Sequence, residues 1–279
     1  TADAIAKWKA ERGYDRTLWF NGARAGAERF TDTLFASSSA AMFRFDFGRS
    51  DGGRDIAGEI RRRAGPSLAI AVPVFVIGLA LSVVLALAQV FFRGSALDFW
   101  GVIACIALMS VSSLFFIVAG QFVFGRLLQV VPISGFDPTG ELWRFLVLPV
   151  GIGVVAGLGG EVRFNRTLFL EEMDRDYVRT ARAKGLPEWA VMFRHVLRNA
   201  LIPILSKSVA VIPLLFMGSL LTESFFSIPG LGSYLIEAIG AQDFAVVRSM
   251  VFVGTVLYIL GLILTDLGYA WADPRIRLA

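Results

Sequence analysis

The sequence predicts an all-α polytopic membrane protein with five spans, and three observations carry that expectation. Of its 279 residues, 56% are hydrophobic and only 18% are charged, whereas a soluble domain holds about 45–50% apolar and about 25% charged residues. Mean hydropathy is +0.65. Uncharged runs recur along the chain near the length that a helix needs to cross a bilayer, about 20 residues. A buried helix of a soluble fold explains one short apolar run, but not a series.

Residues 1–65 come first and are soluble in character. They hold "KWKAERGYDRTLWFNG", "FDFGRS" and "EIRRRAG", with no span and no signal-peptide core. Two strong runs follow, Ser67–Phe92 and Phe99–Gly125. Three weaker ones, Phe145–Gly160, Ser208–Thr222 and Ser249–Thr265, reach a full span when Arg163, Lys207 and Arg248 snorkel. Pro73 predicts a kink in the first span. Gly151, Gly153, Gly157, Gly159 and Gly160 predict close helix approach, with a hinge as the second reading. Gln89 and Gln121, isolated among apolar residues, predict interhelical hydrogen bonds. Glu223, at the outer end of its run, is either a functional intramembrane acid or a solvated cap. Five spans place the two termini on opposite faces. Because the chain does not begin with Met, a further upstream span is expected.

Loop charges orient the spans. Arg163, Arg166, Arg175, Arg179, Arg182, Lys184, Arg194, Arg198 and Lys207 cluster between the third and fourth runs, and Arg275 and Arg277 follow the fifth. The positive-inside rule puts both groups in the cytoplasm. The Arg93–Asp98 turn is then inside, and the Arg126–Arg144 loop and residues 1–65 are outside. Arg61, Arg62 and Arg63 oppose this scheme, with Glu59 and Asp55 as partial offsets. Topology also accounts for the pI near 9.5 better than nucleic-acid binding does.

Asp174–Pro203, "DRDYVRTARAKGLPEWAVMFRHVLRNALIP", is too long and too structured for a plain connector. Acids lead and bases trail in "MDRDYVRTARAK", matching the helix dipole, and Gly185 is a natural cap. The chain restarts with Pro187 at a first helical position and Glu188 beside it. Tyr177, Ala181 and Leu186 mark one side of the first helix and its turn. Trp189, Met192, Phe193, Val196 and Leu197 mark an apolar stripe on the second. Such a hairpin either anchors among headgroups or docks on a partner. The small residues Thr180, Ala181 and Ala183 favour docking.

Catalytic and cofactor chemistry finds little support. One cysteine, Cys105, lies inside a span, and one histidine, His195, cannot form a His-based metal site alone. No G-x-x-x-x-G-K-[ST] phosphate loop occurs, and the glycines of "PGLGSYL" lack the lysine that follows in one. No residue is assigned a catalytic, cofactor-binding or metal role.

The blocks "YVRTARAKGL…FRHVLRNALIPIL", "GSLLTESFFSIPGLGSYLIEAI" and "DLGYAWADPRIRL" resemble the integral-membrane permease of a bacterial peptide ABC importer. The family is the oligopeptide/dipeptide/nickel permeases, B-type subunit, and the likeness covers nearly the whole chain. "ERGYDR…FDFGRS" and "FMGSLLTESFFS" most resemble its Yej-type branch. The resemblance implies a type I ABC importer transmembrane domain, six spans in the family against five here, in the bacterial inner membrane. Residues 1–65 become a periplasmic segment and 66–279 the permease domain. Its cytoplasmic loop, 166–200, would couple to an ATP-binding subunit through Tyr177, Arg179, Thr180, Ala181, Arg182, Lys184, Gly185, Leu186 and Glu188. Arg179-Thr180-Ala181 stands where the loop's name, EAA, predicts Glu-Ala-Ala. Implied partners are a second permease subunit in a heterodimer, ATPase subunits that bind ATP and Mg, an external substrate-binding protein and membrane lipid. Thr222–Leu231 is expected to be a short external turn between the last two spans. Its gate candidates are Glu223, Phe225, Phe226, Pro229 and Gly230, and Phe225, Phe226 and Ile228 should be covered. The rival class, a secondary transporter or channel subunit for a small solute, would need paired intramembrane charges or inverted repeats.

Overall fold

The computed structural model describes residue 7 and residues 15–26, 28–33, 35–137 and 140–272, without the side chains of 37–39 and 268–272. "ERGY" at 11–14, Asp273-Pro274, Arg275 and Arg277 lie outside the described residues. Among those described, the architecture is helical, with one isolated antiparallel bridge between Arg49 and Asp55. The helices are α1 (Glu28–Thr31), α2 (Ile56–Phe91), α3 (Ala96–Ser110), α4 (Ser113–Gly120), α5 (Leu142–Met173), α6 (Asp176–Ala183), α7 (Glu188–Val191), α8 (Leu197–Val211), α9 (Leu220–Phe225), α10 (Leu231–Gly240) and α11 (Phe244–Ala272). Contacts group the chain into two compact units, residues 1–62 with 238–253, and residues 63–237 with 254–279.

The first unit gathers aromatic rings. Phe43, Phe45 and Phe47 all meet the Phe252 ring edge-on at 5.3–6.4 Å. Asp243 fastens the unit by accepting the Asp51 amide at 2.8 Å and the Val246 amide at 3.3 Å. Asp55 caps the start of α2 by accepting the Gly58 amide at 2.8 Å. That is a different task from offsetting arginine charge. Arg62 pairs with Glu59 at 2.7 Å.

Among the described residues, four stretches are long and apolar enough to cross a membrane: Ile56–Phe91, Leu142–Met173, Glu188–Phe225 and Phe244–Leu267. The weaker runs therefore belong to helices longer than the distances between their flanking charges. The 36 residues of α2 extend about 54 Å at 1.5 Å per residue, well beyond a hydrocarbon core of about 30 Å. This helix continues through both Pro66 and Pro73. The expected straight span Phe99–Gly125 is instead two helices, Ala96–Ser110 and Ser113–Leu127, bent by 92°. Extended backbone at Val111 and Ser112 makes the break, and the Ser112 hydroxyl caps α4 by accepting the Leu114 amide at 3.3 Å. With this bent pair as one crossing, the described residues hold five stretches long and apolar enough to be spans.

The stretch from Glu188 to Phe225 is also irregular. It passes through a π-helical turn at Met192–Val196 and a 3₁₀ stretch at Ile212–Met217, then breaks at Gly218, whose φ is +70°. Pro213 has no N–H to continue the α ladder, which suits the tighter winding that begins there. The Thr222–Leu231 connection is not merely a short turn. Ser227 reverses the chain at φ +54°, and the ten-residue helix α10 follows before α11.

Two cores serve the two ends of the second unit. One joins Ala86, Val90, Cys105, Val162 and Phe169 of the long helices to Val178, Ala181, Val191, Met192 and Val196 of the hairpin. The other joins Ile70, Ile117, Leu148 and Ile152 to Phe226 and Ile228 of the turn. Polar ties agree with this pairing of ends. Arg166 donates to Asp98 Oδ1 at 2.9 and 3.1 Å, so the Arg93–Asp98 turn lies at the hairpin end. Gln121 Nε2 donates to the Ile133 and Phe225 carbonyls, and the Gly135 amide donates to the Phe226 carbonyl, so that loop lies at the turn end.

Candidate coupling hairpin and intramembrane polar sites

The hairpin is built by capping. Asp176 stands in the first turn of α6 and Arg182 in its last, an order that favours the helix dipole. Gly185 takes φ +78°, and the Leu186 amide returns to the Ala181 carbonyl at 3.4 Å, closing the helix end. Pro187 is the N-cap of α7 and Glu188 its first residue, one position later than the sequence predicts. Arg182 Nε donates to Glu188 Oε2 at 3.1 Å across the turn. That hydrogen bond is the main cause that raises the Arg182 pKa above its ordinary value. Tyr177 donates its hydroxyl to Glu172. Partial burial first, and this bond second, push its pKa up to about 12.

The candidate coupling residues lie in one hairpin, and the side that the sequence marks on its first helix is divided between buried and exposed residues. Val178 and Ala181 are the buried pair of α6, while Tyr177 and Leu186, grouped with Ala181 by sequence, are exposed. Arg179, Thr180, Arg182, Lys184, Gly185 and Glu188 are exposed as well. The stripe on the second arm also divides. Met192 and Val196 are buried with Val191, whereas Trp189 and Phe193 are 62% and 56% exposed. The π-helical turn explains the split, because a wider winding moves residues off the 3.6-residue stripe that the sequence reading assumes.

At the opposite end, Glu223 is no solvated cap. It is 1% exposed and accepts the Ser219 and Ser233 amides, each at 3.1 Å. The Ser67 hydroxyl also hydrogen-bonds to it, and Ser67 Oγ accepts the Leu231 amide at 2.7 Å. Gly218 and Gly230 leave room for the carboxylate, since a Cβ on either would strike it. Phe226 and Ile228 are covered by their own chain, Phe225 remains 41% exposed, Pro229 is exposed and Gly230 is buried.

Only part of the glycine run serves close packing. A Cβ at Gly153 would meet Val74 Cγ2 at 2.8 Å, and one at Gly159 the Cys105 carbonyl at 2.6 Å; Gly151, Gly157 and Gly160 face open space. Gln89 donates to the Cys105 sulfur at 3.8 Å. Sequence reasoning missed one feature altogether. Lys207 Nζ donates to both carboxylate oxygens of Glu161 at 3.0 Å and sits 4.0 Å from the centre of the Phe164 ring. This is a charge pair between long apolar helices. Each partner lies at the edge of a different apolar run, so only the folded arrangement brings them together.

The sequence as a whole is similar to known transport proteins. Residues 63–278 match the family model of the binding-protein-dependent transport system inner membrane component. A protein of Brucella abortus (strain 2308), provisionally named a peptide transport system permease, is 35% identical over 244 residues, 85% of this chain and 77% of its own length. The di/tripeptide transport system permease protein DppB of Pseudomonas aeruginosa is 38% identical over 190 residues, 64% of this chain and 56% of its own. The oligopeptide transport system permease protein AppB of Bacillus subtilis is 34% identical over 171 residues, 56% and 54% of the two chains. With its apolar helices and a family match across most of its length, the chain belongs to the inner membrane components of binding-protein-dependent transport systems, the permeases of ABC transporters.

Proposed function

We propose that this multi-pass permease forms half of a peptide translocation pathway across the bacterial inner membrane and is driven by a separate ATPase. The observation that carries the reading is the core shared by the long helices and the hairpin. Force applied to the hairpin meets Val178, Ala181, Met192 and Val196 packed against Val90, Cys105 and Phe169. The helices therefore move with it, because close-packed cores resist continuous deformation. Outside that core, Tyr177, Leu186, Trp189 and Phe193 remain exposed, and they supply an aromatic and apolar surface for an ATP-binding subunit. ATP and Mg belong to that partner. A second permease chain completes the pathway, and an external substrate-binding protein delivers the peptide. The hairpin and the Arg93–Asp98 turn are cytoplasmic; the Gln121–Gly135 region and the Phe226 turn are periplasmic.

Affinity purification of the tagged chain from membranes tests the assembly. ATP-binding chains and a second permease should co-purify, and the reconstituted complex should take up peptide only with ATP. Trp189→Asp with Phe193→Asp should release the ATP-binding chains while leaving the permease pair inserted. If those chains stay bound in full and uptake is unchanged, the aromatic surface serves headgroup anchoring instead.

A further inference from the structure

Two cavities lie end to end within the unit formed by residues 63–237 and 254–279. The larger, about 400 Å³, includes Ser67, Ser219 and Thr222 in its lining; the smaller, about 160 Å³, includes Glu161, Asn165 and Lys207. Both linings contain Val74, Phe75, Gly153 and Val211. These four residues are the waist between two chambers. Residue order runs consistently along all three walls: α2 from Ser67 to Leu79, α5 from Pro149 to Asn165, and the third wall from Thr222 back to Ile204. The chambers therefore follow the helices from the Glu223 end towards the hairpin end. The waist is apolar and already tight, as the close approach of Gly153 to Val74 shows.

At the hairpin end stands the Glu161–Lys207 pair, with side chains 44% and 40% exposed. Charges on membrane helices face a water-filled cavity or other protein, because hydrocarbon solvates them poorly. Here they line a cavity. Lys207 gives two donors to Glu161 and keeps a third, and the Glu161 oxygens keep spare lone pairs. The pair can thus accept a new charged partner without either group losing all its contacts.

We propose that Glu161 and Lys207 form a charge site at the inner end of a two-chambered peptide path. Lys207 receives substrate carboxylates and Glu161 receives substrate ammonium groups beyond the Val74–Phe75–Gly153–Val211 waist. The ligand class is a zwitterionic peptide, so the inference rests on the peptide-permease reading. A pair with no net charge suits passage: it offers compensation to both ends of a peptide and binds neither tightly enough to stop its release.

The test uses the assembled complex in proteoliposomes, with the chain carrying Cys105→Ser. Lys207→Cys should react with a membrane-impermeant thiol reagent added from the ATPase side, whereas Tyr258→Cys on α11 serves as a comparison position. Glu161→Gln, Lys207→Met and the double neutral variant should each lower peptide uptake per ATP hydrolysed by about tenfold, the loss expected for one charged hydrogen-bonding partner. The exchange Glu161→Lys with Lys207→Glu should recover much of it. A double neutral variant that transports at the wild-type ratio overturns the charge site. A Lys207→Cys that reacts with a lipid-soluble reagent but not the impermeant one overturns the path, even if the other variants fail to assemble. Absence of ATP-driven peptide uptake by the unaltered complex would instead refute the peptide-permease reading beneath both.

Discussion

The carboxylate of Glu223 is held by backbone amides in a cradle of glycines, at a position that sequence left open between a functional acid and a solvated cap. A buried N–H group on Ser233 and a part-buried one on Ser219 depend on it. Glu223→Ala should leave the buried Ser233 amide unsatisfied, at about 1–3 kcal/mol, and lower the midpoint of thermal unfolding of the detergent-solubilised permease. Gly230→Ala should do the same by displacing the carboxylate. An unchanged midpoint in both variants would contradict the cradle. Tyr177 offers a second residue-scale measurement. Its neutral form is favoured in the folded chain, so its folded pKa, about 12, exceeds the ordinary 10.0. The associated stabilisation is complete below pH 10 and is lost as pH rises through 12. Difference absorbance titration of the parent against Tyr177→Phe should show one phenol ionising late; ionisation near pH 10 would contradict the Glu172 contact.

Elements rather than residues decide how the hairpin works. Ala181 is 4% exposed in a core that includes Phe169 and Met192. Ala181→Asp should therefore disrupt the permease itself, reducing membrane abundance, because an unpaired buried carboxylate is costly. Gly185→Val is different. It strains a left-handed turn by about 1–3 kcal/mol at an exposed site, so abundance should hold while ATP-driven uptake falls severalfold. Quantitative membrane blots beside uptake assays separate the two outcomes, and equal behaviour of the pair would refute the assignment of inside and outside. Much of this hairpin was legible: the polar stretch, the dipole order and the glycine all read directly from sequence. The buried face of its second arm was not, because a π-helical turn at Met192–Val196 alters the winding without an obvious residue signature. The bend after Ser110 was hidden for a related reason. "LMSVSSLFF" stays apolar enough to read as one span, and only the Ser112 cap marks where the second helix starts.

At the scale of the whole molecule, composition revealed the membrane class, and the ordered motifs revealed the family. The Glu161–Lys207 pair, 46 residues apart, could not be read from either, since helices must pack before two such charges can meet. Sidedness is a further whole-molecule property. Positive charge alone leaves Arg61, Arg62 and Arg63 in conflict with the rule. Pairing weakens the conflict: Arg62 binds Glu59, while Arg63 binds Glu237 at 3.1 Å and lies 4.7 Å from the centre of the Tyr234 ring. Compensated arginines present less free charge to the membrane than an unpaired cluster does.

The two polar ties at opposite ends group the connections by the end at which they lie. The Asp98–Arg166 pair joins the charged turn to the hairpin helices, and the Gly135–Phe226 hydrogen bond joins the two apolar-end connections. If the hairpin is cytoplasmic, residues near Phe226 are periplasmic without any further assumption about loop charge. In a Cys105→Ser background, Lys184→Cys should resist a membrane-impermeant thiol reagent applied to intact spheroplasts and react after the membrane is opened. Pro229→Cys, exposed beside the covered Phe226 and Ile228, should react before opening, and Ala36→Cys should follow it if the first segment is periplasmic. Labelling of Lys184→Cys in intact spheroplasts would invert the molecule and remove the hairpin from reach of any cytoplasmic ATPase. Protection of Ala36→Cys alone would leave the permease orientation standing and place only the first segment on the other side.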